Sequence, residues 1–282
     1  MRTAASVLFP RRGLASSGVS TRTLASLVEW SVEDKIGTLT LQSPQTYNAL
    51  TMELGREFQR VIRSSIKDDT SLRAVVLRGE GPAFSAGGNV SWLESLRHNT
   101  IHRNRDLMLE FYGFFTSLHE IPVPVIAALH GPAVGAGACL AMACDLRVAQ
   151  TNAKCLGFTF SKLGIHAGLG GVHWLRNCPQ RNEILLTGKT LMAEEALACG
   201  LVDRVVDDAQ RGAYDLAAEV AIQHPVAIRT MVQTLRSQGD LRGALERDAA
   251  MQAICYARED WGEGLEAAME KRDPVFDDYD AK

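Results

Sequence analysis

Residues 126–145 read IAALHGPAVGAGACLAMACD, and this stretch decides the fold. It opens as a short continuous apolar run ended by His130 and Gly131, the pattern of a strand buried on both faces. Small residues carry the chain through a turn from Gly131 to Gly137, a helix of small residues follows over 135–143, and 145–149 reads as strand again. Strand, turn, helix and strand in such quick succession predict an α/β architecture with short right-handed crossovers.

The same arrangement occurs upstream. The apolar run 74–77 ends at Arg78 and Gly79 and leads to Phe84-Ser85-Ala86-Gly87-Gly88-Asn89 before a helical pattern over 90–97. Where no side chain intervenes, backbone N–H groups at a helix start face an anionic or polarised oxygen, with the positive end of the helix dipole behind them. Two such amides converging on one point make an oxyanion hole. The glycines serve equally well for tight turns and close helix–sheet packing. Neither turn matches a phosphate-binding motif: G-x-x-x-x-G-K-[ST] is absent, and Gly135-Ala-Gly137-Ala-Cys-Leu lacks the third glycine of G-x-G-x-x-G.

Further outward, 27–30 and 35–42 predict a hairpin turning at Asp34 or Gly37. Thr51 is placed to cap a helix carrying Leu54, Phe58, Val61 and Ile62. A second helix over 102–118 carries Leu107, Met108, Phe111, Phe114 and Phe115, which suit either a packed core or the wall of an acyl tunnel. Beyond Val206 the patterns 211–223, 226–237 and 241–258 are all helical. These divide the chain into a core over 27–206 and a helical C-terminal subdomain over 207–282. Helices that cannot all cover one small core pack on a neighbouring subunit, which predicts a homo-oligomer.

Composition narrows the function. The 282 residues are 46% hydrophobic and 22% charged with a net charge of −3, so no surface is built to grip nucleic acid. No apolar run approaches the roughly 20 residues of a membrane span. The six cysteines show no metal-binding or redox spacing, so no metal site is expected and the thiols read as buried groups of a reducing compartment. Residues 1–26 hold arginines, serines and alanines without Asp or Glu, the composition of a mitochondrial transit peptide, although an ordinary disordered tail has the same look.

Asn48-Ala49-Leu50, Ala83-Phe-Ser-Ala-Gly-Gly-Asn-Val, the stretch 126–145, Leu163-Gly-Ile, Gly168-Leu-Gly-Gly, Thr187-Gly-Lys and the segment 193–206 resemble, in order and spacing, the crotonase (enoyl-CoA hydratase/isomerase) superfamily over about residues 27–275. The resemblance implies a spiral of ββα units, a helical C-terminal oligomerisation region building trimers or dimers of trimers, and an acyl-CoA substrate in the mitochondrial matrix. It implies no separate cofactor, because coenzyme A arrives as part of the substrate. Carried over position by position, it makes Gly88 and Ala136 the two oxyanion-hole amides, sets Ala49, Ser85, Ala86 and Asn89 along the adenine and pantetheine, and brings Lys271 to the CoA phosphates.

The pattern departs from the hydratases at their two glutamates, which supply acid and base. Cys139 stands at the first position and Phe160 at the second, and no Asp or Glu occurs between Gly131 and Cys144 or between Lys154 and Asn182. The nearest polar groups are His166, able to exchange a proton near neutral pH or simply to bond backbone, and Cys139, whose other reading is a buried inert thiol. Asn89 doubles as a helix cap. Asp106 and Glu110 share the helix of the aromatic stripe and fit a solvated face, and Asp145 fits a structural hydrogen-bonding role. An enoyl-CoA hydratase/isomerase-like enzyme with unconventional acid–base groups is the leading expectation. A crotonase-type isomerase, decarboxylase or thioesterase, or a non-catalytic acyl-CoA-binding paralogue, stands beside it.

Overall fold

The first hairpin turns at Asp34 and Lys35, both with positive φ (48° and 67°), as a two-residue turn matched to strand twist requires. Gly37 lies instead within the second strand, beneath the Trp30 ring; a Cβ there would sit 2.0 Å from a ring carbon. The computed structural model describes residues 26–257, 260–272 and 274, so the leader expected over 1–26 lies outside the described residues except for Ser26.

The strands are β1 (Val28–Glu33), β2 (Ile36–Leu41), β3 (Ala74–Gly79), β4 (Val125–Leu129), β5 (Ala133–Val134), β6 (Leu146–Gln150), β7 (Lys154–Gly157), β8 (Thr190–Met192) and β9 (Arg204–Val206). A six-stranded sheet runs β1-β2-β3-β4-β6-β9, parallel except for β1, and a three-stranded sheet runs β5-β7-β8. The chain alternates between them: β4 then β5, β6 then β7. Single bridges from Leu50 to Gly88 and from Ser85 to Ala133 extend the same alternation to the earlier turns. This is the expected spiral.

The helices are α1 (Met52–Val61), α2 (Val90–Ser95), α3 (Ile101–Thr116), α4 (Ala136–Ala143), α5 (Gly171–Trp174), α6 (Arg181–Thr187), α7 (Ala193–Ala198), α8 (Ala209–Ala221), α9 (Pro225–Arg236), α10 (Leu241–Tyr256) and α11 (Asp260–Glu270). Thr51 caps α1 as expected, accepting from the Leu54 N–H at 3.1 Å. Strand β4 is buried throughout because both faces of the large sheet are covered. Val75, Leu77, Val125, Ala127 and Leu129 face the main core, while Ala74, Val76, Ile126, Ala128 and Val148 face Ala213, Leu216 and Ala217 of α8. Helix α8 therefore belongs to the sheet's own core, and a division at residue 206 cuts through one packed unit. Among the described residues no helix is long and apolar enough to cross a membrane.

Candidate active site

The two glycine-rich turns meet. A Cβ on Gly87 would lie 2.4 Å from the Val134 carbonyl oxygen and 3.4 Å from the Ala136 nitrogen, so only a glycine lets the segments touch. Gly87 also has φ +87°, and Gly135 has φ +52° and ψ −119°, conformations that L side chains rarely adopt. Gly137 packs on Ser85 in the same way, where a Cβ would be 2.6 Å from its carbonyl oxygen.

Secondary structure frees one donor on each segment. In the bridge at Leu50, the Leu50 N–H donates to the Gly87 carbonyl (2.6 Å) and the Asn89 N–H to the Leu50 carbonyl (3.1 Å), which turns the intervening Gly88 N–H to the other side. Ala136 is the first residue of α4, whose opening turn closes with the Cys139 N–H on the Gly135 carbonyl at 3.1 Å, so its own N–H has no place in the helix ladder. Among the described residues neither N–H has a protein acceptor.

Gly88 and Ala136 both border a cavity of about 320 Å³. Its apolar wall includes Trp92, Leu93, Met108, Phe111 and Leu265, and Lys162, Lys271 and Arg272 also border it. Such an arrangement can hold one carbonyl oxygen between two main-chain donors with an apolar chain beside it.

Other expected site residues fall on both sides of the cavity wall. Ala86, Lys271 and Phe160 border it, and so do Met108 and Phe111 of the aromatic stripe. Ala49, Ser85, Asn89, His166 and Cys139 do not. Ser85 is fully buried, its hydroxyl donating to the Asn48 carbonyl (2.8 Å) and accepting from the Gly87 N–H (3.2 Å); it shapes the turn rather than meeting a ligand. Asn89 is a cap, accepting from the Trp92 N–H at 2.9 Å. Cys139 lies within α4, fully buried, and burial pushes its thiol pKa up, so the expected proton-transfer role is corrected to an inert packing thiol.

His166 is half-buried, its Nδ1 2.7 Å from the Ala167 carbonyl oxygen and 3.9 Å from Asp248 Oδ1, and it does not border the cavity, so it is corrected to a neighbour of the site. Asp145 is structural as expected, accepting from the Val125 N–H (2.7 Å) and from two nitrogens of Arg236 (2.8 and 2.6 Å). Asp106 and Glu110 lie on the solvated face of α3.

The wall holds no Asp, Glu, His or Cys among the described residues. Its buried polar groups are Tyr112 on α3 with Gln252 and Tyr256 on α10, residues that sequence reasoning missed. The only trace of them was a polar Gln252 one helical turn from Asp248 and Tyr256, within a helix otherwise read as packing. Burial pushes both phenol pKa values up, keeping them neutral. Behind them, burial raises the Asp248 carboxyl to about 6 against the opposing pull of the Gly170 N–H and His166. Among the described residues no cluster of His, Cys, Asp and Glu is arranged to hold a metal ion.

Comparison with known proteins identifies the family. The family model described as enoyl-CoA hydratase/isomerase matches residues 31–279. A putative enoyl-CoA hydratase of Thermus thermophilus is 36% identical over 244 residues, covering 84% of this chain and 95% of that protein. The mitochondrial methylglutaconyl-CoA hydratase of Mus musculus is 31% identical over 283 residues, covering 95% and 87%. The crystal structure of an enoyl-CoA hydratase from Bacillus halodurans superposes with a TM-score of 0.78 at 25% identity over 86% of this chain and all of that one. With a model matching nearly the whole chain and relatives above 30% identity along most of it, the protein belongs to the enoyl-CoA hydratase/isomerase family.

Proposed function

We propose that the cavity takes the acyl end of a coenzyme A thioester, with the thioester oxygen accepting from the Gly88 and Ala136 N–H groups. The protein is then an enoyl-CoA hydratase/isomerase-like enzyme, consistent with its family and relatives. The observation that carries the reading is that two main-chain donors without a protein acceptor, on turns packed against each other, belong to residues bordering one apolar cavity. Two such donors stabilise the enolate that forms when charge moves onto the thioester oxygen. Lys162, Lys271 and Arg272 also border the cavity, and cations there support a phosphate-bearing ligand. No cofactor beyond the substrate's own coenzyme A enters the proposal.

The absence of a carboxylate from the described wall favours chemistry in which enolate stabilisation dominates over paired acid–base catalysis. Decarboxylation, in which loss of CO2 generates the enolate without proton abstraction, fits that requirement better than hydration or double-bond migration, each of which needs a group to move a proton. Exposed Val226, Met231 and Leu235 on α9 with Met251 and Ile254 on α10 suit a homo-oligomer, trimer or dimer of trimers, and the composition of the leader suits the mitochondrial matrix.

The test is infrared spectroscopy of a carbonyl-labelled acyl-CoA. Its bound thioester stretch is expected at lower frequency than in water. Ala136→Pro, which deletes the N–H at a first-turn position that accepts proline, should reduce the shift. Saturating binding with no shift would refute the oxyanion assignment. Turnover assays with enoyl-CoA substrates separate the enzyme from an acyl-CoA-binding paralogue.

A further inference from the structure

We propose that Tyr256, Tyr112 and Gln252 form a polar subsite that selects acyl groups carrying an uncharged oxygen, a hydroxyl or ketone, over plain hydrocarbon chains. The proposal rests on the acyl-CoA reading of the cavity and adds the substrate class.

All three side chains are almost wholly buried yet border the cavity. Their hydrogen bonds are unequally satisfied. Gln252 Nε2 donates to the His166 carbonyl at 2.8 Å, and Gln252 Oε1 accepts from Tyr112 Oη at 2.6 Å, both well-formed bonds. Tyr256 Oη reaches the same Oε1 only at 3.3 Å, and its other acceptor is the Met108 sulfur at 3.8 Å, a weak one. Tyr256 thus holds a proton with no good acceptor of its own, and both phenol oxygens keep lone pairs able to accept. A ligand hydroxyl accepts a hydrogen bond from the Tyr256 O–H and donates its own to a phenol oxygen; a ketone oxygen accepts from the Tyr256 O–H.

The packing keeps the cluster from relaxing toward a better internal bond. A Cβ on Gly168 would be 2.6 Å from both Gln252 Nε2 and Tyr112 Oη, so the loop is pressed onto it, and the Tyr256 ring is held against Trp261 with centroids 5.1 Å apart. An uncharged oxygen suits the subsite better than a carboxylate. Asp248 lies one helical turn from Gln252 on α10 and is itself buried, so a second anion beside it is opposed.

The experiment titrates the full chain with hexanoyl-CoA and a series of hydroxyhexanoyl-CoAs in which the hydroxyl is moved along the chain. At least one hydroxylated probe should bind about three- to tenfold tighter than hexanoyl-CoA, the worth of one neutral hydrogen bond. Tyr256→Phe, which keeps the ring packing, should abolish that preference, bringing the hydroxylated probes to the affinity of hexanoyl-CoA. Equal affinities across the series for the unmodified protein, or a preference surviving in Tyr256→Phe, would overturn the subsite. The comparison on the unmodified protein decides the matter even if the variant does not fold. Failure of every probe to bind would overturn the acyl-CoA reading as well.

Discussion

Substituting Gly87 by Ala tests whether contact between the two turns builds the site. The added Cβ would lie 2.4 Å from the Val134 carbonyl oxygen, a backbone atom that cannot swing aside, and 3.4 Å from the Ala136 nitrogen. A φ of +87° adds about 1–2 kcal/mol for a residue with a side chain. Overpacking of this kind costs about 1–3 kcal/mol more, so the variant should lose about 2–5 kcal/mol. At an m-value of about 2–3 kcal/mol/M that moves the urea midpoint down by about 1–2 M.

Relief of the clash means separating 86–88 from 134–136, so acyl-CoA affinity should fall together with stability. Gly113→Ala is the control. It lies inside α3 with nothing within 4 Å of a Cβ, and helix propensity predicts a gain of about 1 kcal/mol with unchanged binding. A Gly87→Ala protein matching the unmodified one in midpoint and affinity would refute the contact as the site's organising feature.

Arg236→Ala should cost about 3–5 kcal/mol in denaturant titration. It leaves the half-buried Asp145 without its charge partner and strips the carbonyls of Ile121 and Val123 of a donor, whereas an Arg236→Met/Asp145→Leu pair should be less damaging than the single change. Asp248 should give a pH signature. Its folded carboxyl titrates at about 6 against the ordinary 3.8, so the folded state holds the proton more tightly than the unfolded chain. The resulting stabilisation is full below pH about 4, falls as pH rises toward about 6, and is absent above it. Asp248→Asn should remove this decline, worth about 3 kcal/mol at about 1.4 kcal/mol per pH unit, in unfolding curves taken across that range. Asn89→Ala should lower stability by about 1 kcal/mol through loss of the α2 cap while leaving acyl-CoA affinity intact; a large loss of affinity would return Asn89 to the ligand site.

By itself the sequence determined strands β1 to β4 and β6, helices α1 to α4 and α8 to α10, and the turns beside them, because these follow from local chemistry. The apolar runs 74–77 and 126–129 become strands buried on both faces, Thr51 and Asn89 cap the helices that follow them, and Gly87 and Gly135 stand where the backbone must turn tightly. Gly88 and Ala136 came as a pair from the family resemblance, whose motifs are local and ordered, and the structure brings both to one cavity. Cys139 and His166 were not separable from real acid–base candidates, since burial and the direction of a side chain depend on what packs above it. The polar cluster was hidden for a related reason: the Tyr112–Gln252 bond joins residues 140 apart in the chain, and no periodicity within either helix records it. The placing of α8 likewise needed the folded sheet, because an amphipathic helix shows which face it buries but not against what. Only the tertiary structure decides which long-range partners share one cavity, since that choice is made by packing between elements rather than within them.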